Sequence, residues 1–107
     1  MAKRAAFALS LAPEVIAHLD EIERKHHRLI RQTIQAQLSY TPTRETRNRK
    51  PMEQPAPLGA AWELRFGPKN RFRVFYEVDA ADHTVWILAI GVKEGARLYI
   101  GGKEIEL

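Results

Sequence analysis

The residues best suited to chemistry in this chain are arginines on two neighbouring stretches of alternating sequence. In NRFRVFYEV, residues 70–78, the apolar Phe72, Val74, Tyr76 and Val78 occupy every second position. That is the period of a half-buried strand, and it puts Arg71 and Arg73 on the opposite face. In WELRF, residues 62–66, the same period sets Trp62, Leu64 and Phe66 on one face and Glu63 and Arg65 on the other. The cluster Gly67-Pro68-Lys69-Asn70 between them predicts a turn, hence an antiparallel hairpin. Cross-strand neighbours lie within about 5–8 Å, so the two polar rows fall side by side. Guanidinium groups gathered in this way repel one another unless an anion joins them, and their planar forks suit phosphate. The same pattern also describes a strand with one wet face, on which Glu63 pairs with an arginine in an exposed contact worth about 1 kcal/mol or less.

Further candidates lie just beyond the apolar run VWILAIG, residues 85–91: Lys93, Arg97 and Tyr99 sit where the end of that strand meets the hairpin. Lys69 belongs to the hairpin turn. Arg44, Arg47, Arg49 and Lys50 make the segment from Thr41 to Pro57 locally basic, which reads either as a solvated loop or as a phosphate-contacting one. The histidines, His18, His26, His27 and His83, have no metal-ligand spacing, and the pair His26-His27 reads as an exposed junction. There is no glycine-rich phosphate loop, no serine-nucleophile motif and no cysteine, hence no thiolate metal site, and no motif that calls for a cofactor. A net charge of +4 makes an anionic partner plausible without identifying it.

These residues need a scaffold. A chain of 107 residues predicts one domain, 1–107. MAKRAAFALSLAP begins like a signal peptide, but Phe7, Leu9 and Leu11 alternate and Pro13 would follow the cut, so Ala5–Leu11 is expected to be a retained first strand. Apolar residues then recur at helical spacing: Val15, Ile16, Leu19, Ile22, then Leu29, Ile30, Ile34, Leu38. Glu23–Arg28 interrupts that stripe, predicting a helical hairpin over roughly 13–24 and 26–40. Residues 41–57, with four prolines, read as a linker. The run at 85–91 is apolar on both faces, as in a central, doubly covered strand. The tail around Gly101-Gly102 ends in a short strand or an extended arm. Strand, helix, helix and meander make an α+β fold: an N-terminal strand and a two-helix hairpin packed on a mainly antiparallel sheet. No stretch approaches the length of a membrane span.

In this order and spacing the sequence resembles the RelE/ParE superfamily of bacterial toxins, from type II toxin–antitoxin systems. The resemblance rests on the element order, on RFRVFYEV followed by a turn and VWILAIG, and on a tyrosine eight residues after the glycine, Gly91 to Tyr99. It spans nearly the whole chain. It implies a RelE-like toxin that cleaves mRNA in the ribosomal A site without a metal, in the cytoplasm, restrained by a cognate antitoxin in a hetero-oligomer. On that resemblance Arg73 and Arg65 hold the scissile phosphate, Tyr99 orients the base or assists proton transfer, and Lys93 protonates the leaving group. Lys93 stands where RelE has an arginine, and Glu63 where RelE has a lysine. The general base stays open among Glu63, Glu53 and Tyr99. Arg71, Lys69, Arg97, Arg49 and Lys50 are the further candidates for contact with RNA phosphates. Two other members of the class fit the same pattern: a ParE-like inhibitor of DNA gyrase with no nuclease activity, and an inactive relative that only binds its antitoxin.

Overall fold

The computed structural model of the protein describes residues 5–106. Strand β1 (Ala8–Leu11) leads into helix α1 (Glu14–Asp20); a short helical turn at Arg24–His26 then opens helix α2 (His27–Leu38). Strands β2 (Arg49–Pro51), β3 (Trp62–Phe66), β4 (Phe72–Asp79), β5 (Thr84–Glu94), β6 (Arg97–Ile100) and β7 (Lys103–Ile105) follow. They lie in the order β2-β3-β4-β5-β6-β7, each antiparallel to its neighbours, and β1 runs parallel to β5. The α+β architecture is the expected one. Among the described residues no helix is long and apolar enough to cross a membrane.

Pro13 opens α1, where its fixed φ suits a first turn. Glu23 is extended, with φ −53° and ψ 136°, and breaks the helical run where the apolar stripe fails. The helical pair buries Val15, Leu19, Ile22, Ile30, Ile34 and Leu38 against Leu64, Phe66, Phe72, Val74, Tyr76, Val85, Ile87 and Ile90. Those residues therefore define the helix-facing side of the sheet.

Three expectations need correction. The first strand is shorter than Ala5–Leu11. The segment read as a linker contributes β2, whose Arg49, Lys50 and Pro51 stand opposite Leu64, Glu63 and Trp62. The other side of the sheet, expected to be open, carries a second small core: Ala60, Phe75, Ala89, Leu98 and Ile100, with Met52, Leu88 and Ile105 against it. Two features build it. Leu88 has no partner between Phe75↔Ala89 and Tyr76↔Ile87, a bulge that turns Leu88 and Ala89 to the same side. The tail folds back as the β6–β7 hairpin and supplies Leu98, Ile100 and Ile105. The polar row is thus wet at its margin only.

Candidate phosphate-binding site

Arg65 on β3 and Arg73 on β4 stand directly opposite each other, on the side away from the helices. Glu63 joins them: its Oε1 accepts from Arg65 Nε at 2.6 Å and its Oε2 from Arg73 Nη1 at 3.3 Å. The side chains of Glu63 and Arg73 are 8% and 10% exposed, that of Arg65 41%. Glu63 sits two positions from Arg65, on the same face, so both of its oxygens reach neighbouring guanidinium groups without distortion. With both occupied, it is poorly placed to take a proton from a substrate.

The turn before β4 supplies a third anchor. Lys69 and Asn70 have φ of 55° and 53°, a left-handed conformation that aims the Asn70 carbonyl back at β4. Arg73 Nε donates to it at 2.8 Å. Arg73 Nη2 has no protein partner among the described residues, and Arg73 lines an open groove of about 590 Å³ with Pro68, Lys69, Arg71, Lys93, Glu94 and Gly95. Four cations and one carboxylate thus surround it. Arg71 lies 3.7 Å from Glu94 and 5.3 Å above the Phe72 ring. The backbone N–H of Lys93 donates to the Arg71 carbonyl at 2.6 Å, holding the turn and the end of β5 together. Lys50, opposite Glu63 on β2, shares that face and pairs with Glu45 at 3.4 Å.

Four of the anticipated residues, Arg73, Lys69, Arg71 and Lys93, therefore converge on one groove, with Arg65, Glu63 and Lys50 beside it. Three do not. Tyr99 pairs with Val92, and its parity sends it to the helix-facing side, into a second cleft of about 260 Å³ with His18, Glu21, His26 and Gly101 among its walls; Arg71 and Glu94 line both this cleft and the groove. The cause is the tight turn at Gly95, φ 61°, which makes residues 97–100 a strand paired with β5. Arg97 shares the parity of Tyr99 and pairs with Glu104 at 3.7 Å, outside the groove. Arg49 is buried: its Nη1 donates to the Gln37 carbonyl at 2.8 Å, to Thr41 Oγ1 at 3.1 Å and to the Thr41 carbonyl. It ties β2 to the end of α2 and does not line the groove. Glu53 is exposed and does not line the groove.

The histidines are occupied structurally. His27 Nε2 bonds the Ile22 carbonyl at 2.7 Å and His26 lies 5.1 Å from the Phe72 ring, so the junction is half-buried and not exposed as expected. His83 stacks on Phe7 at 3.7 Å. His18 Nδ1 accepts from the Ile90 N–H at 3.3 Å; burial lowers its pKa below the usual imidazole range, partly offset by the charge of Glu14. Among the described residues no three His, Asp or Glu side chains are grouped to hold a metal. Sequence reading missed Glu94 and the Asn70 carbonyl. Glu94 had a signal, a carboxylate beside Lys93 at a strand end; the carbonyl had none, since its aim depends on two left-handed residues.

No family model matches the chain, and no curated protein matches it. Among solved structures it resembles a chain of the crystal structure of the toxin–antitoxin complex RelBE2 from Mycobacterium tuberculosis. The TM-score is 0.69 at 20% identity, covering 85% of this chain and 95% of that one. The likeness is one of fold: the chain has the RelE-like α+β architecture that its element order predicts.

Proposed function

We propose that this chain is the toxin of a type II toxin–antitoxin module, acting in the cytoplasm as a single domain. In this reading it is a metal-independent endoribonuclease that cuts mRNA on the ribosome. The observation that carries this reading is Arg73: a buried guanidinium, held on two sides by Glu63 and the Asn70 carbonyl, that lines a groove together with Lys69, Arg71 and Lys93. A fixed donor set of this kind suits the charge that builds on a phosphorane-like transition state. The fold shared with a chain of RelBE2 supports the same class and a cognate antitoxin as partner.

In the proposed reaction a 2′-hydroxyl attacks the adjacent phosphorus in line. Its proton passes to a carboxylate, the P–O5′ bond breaks, and the 5′-oxygen takes a proton from an ammonium. The products are a 2′,3′-cyclic phosphate and a free 5′-hydroxyl. Of the groups lining the groove, Glu94 is the carboxylate and Lys93 the acid that suit these steps. Arg65 supports Arg73 through their common partner, Glu63. The test is induced expression with primer-extension mapping of mRNA ends. Native protein is expected to produce new ends on translated messages, and Arg73→Ala to abolish them; identical ends from both would sink the reading.

One observation favours a second reading. Tyr99 and the arginine pair lie on opposite sides of the sheet, so the residues that the resemblance assigns to cleavage are not assembled together. A ParE-like gyrase inhibitor needs no such assembly. A supercoiling assay separates the two, since inhibition of gyrase by both native protein and Arg73→Ala would favour the second.

A further inference from the structure

We infer that Glu63 is a built-in counter-ion. It holds Arg65 and Arg73 in one register and fills the space between them, so that a phosphodiester is received at the groove-side edge of Arg73 and not between the two arginines. This rests on the groove being a polynucleotide seat.

The argument begins with the strand pairing. Arg65 and Arg73 are direct cross-strand partners, and two like charges so placed separate unless an anion joins them. An anion arriving from solvent would bridge the pair. Here the bridge is already made: each oxygen of Glu63 accepts from one arginine, at 2.6 and 3.3 Å. The carboxylate is 8% exposed, beside the Phe75 row of the second core, so leaving this position would strand a buried charge. Two of the nitrogens of Arg73 are committed, Nη1 to Glu63 and Nε to Asn70. Its other terminal nitrogen makes no hydrogen bond among the described residues, and the groove that Arg73 lines also holds Lys69, Arg71 and Lys93. Arg65 spends its Nε on Glu63 and does not line that groove. Glu63 is thus a positioning residue, and it leaves the arginine pair with one net positive charge in place of two.

The test measures binding of a single-stranded deoxyoligonucleotide, which lacks the attacking hydroxyl, as a function of salt, together with binding of tripolyphosphate. Each phosphate contact on a single strand contributes about 0.7 to the slope of log K against log[salt]. Glu63→Gln keeps the shape but removes the counter-charge, giving the arginine pair its second net positive charge, so its slope is expected to steepen by about 0.7 and its tripolyphosphate affinity to rise several-fold. Arg73→Ala in the otherwise native chain is expected to lower the slope by about 0.7, and Arg65→Ala by less than half as much. The Arg65→Ala comparison leaves the buried carboxylate in place and so stands even if Glu63→Gln fails to fold. No gain with either probe in folded Glu63→Gln overturns the inference, as does an Arg65→Ala loss equal to that of Arg73→Ala. A gain with tripolyphosphate, without oligonucleotide binding by any form, upholds the counter-ion and removes the polynucleotide reading instead.

Discussion

Arg73 and Tyr99 face opposite sides of the sheet although their partners are consecutive residues: Arg73 pairs with Gly91 and Tyr99 with Val92. A reaction at the groove therefore draws on Arg73 directly, whereas Tyr99 lines a neighbouring cleft that shares Arg71 and Glu94 with it. Arg73→Ala is expected to reduce cleavage of ribosome-bound mRNA by about 10²–10³-fold, the scale of losing a fixed charge at a transition state. Tyr99→Phe is expected to stay within about threefold of native, well short of the loss of a general acid or base. Quantified primer extension on the two variants checks both; an equal loss for Tyr99→Phe would bring the tyrosine back into the mechanism.

Arg49 is a structural residue in spite of its basic neighbourhood. Its guanidinium satisfies the Gln37 and Thr41 carbonyls and Thr41 Oγ1, and its buried Nε has no partner. Arg49→Met is expected to cost about 2–3 kcal/mol, since charged hydrogen bonds are lost and carbonyls are left unpaired. Urea unfolding reads this directly. Oligonucleotide affinity is expected to change by less than about twofold, because the side chain lies outside the groove, whereas a true phosphate contact would weaken binding and flatten its salt slope.

Gly91 is set by close approach. A Cβ there would lie 2.9 Å from the Tyr99 carbonyl oxygen and 3.0 Å from Ile100 Cγ1, and the first of these is backbone in the paired strand. Gly91→Ala is expected to push β6 from β5 and to destabilise the protein by about 1–3 kcal/mol, as overpacking does. Because Gly91 is also the partner of Arg73, the substitution is expected to weaken anion binding in protein that is still folded. Thermal unfolding and tripolyphosphate titration of one preparation separate the two effects.

His18 predicts a pH dependence of stability. Burial lowers its folded pKa below the ordinary imidazole value of about 6.5, so on acidification the unfolded chain takes up the proton first. Stability from this group is complete above about pH 6.5 and declines as pH falls below it. Protonation also removes the acceptor for the Ile90 N–H. The thermal midpoint of native protein is expected to start dropping as pH falls below about 6.5, before ordinary carboxylates titrate. His18→Gln is expected to flatten that decline, and an unchanged slope would exclude His18 as its source.

Much of this molecule is readable from local pattern. The two-residue period of NRFRVFYEV and WELRF predicts the β3–β4 hairpin and the side-by-side arginines, because strand side chains must alternate. The stripe Val15, Leu19, Ile22 and then Ile30, Ile34, Leu38 predicts the helical pair and its buried face, and its interruption at Glu23 marks the break. Even Glu63 as a partner for arginine follows from strand parity.

The roles of individual charges do not. Arg49 and Lys50 are adjacent and equally basic in sequence, yet one is buried under the end of α2 and the other faces Glu63 across β2, since pairing with β3 turns consecutive residues to opposite sides. Tyr99 is sent to the helix side by a turn at Gly95 and a register that local composition does not encode. The second core exists only because the tail returns to pair with β5, and Glu63 and Arg73 stand beside it as the cross-strand partners of Phe75 and Gly91. Periodicity specifies which side chains share a face; long-range pairing specifies which face is covered and which guanidinium is left to meet a ligand.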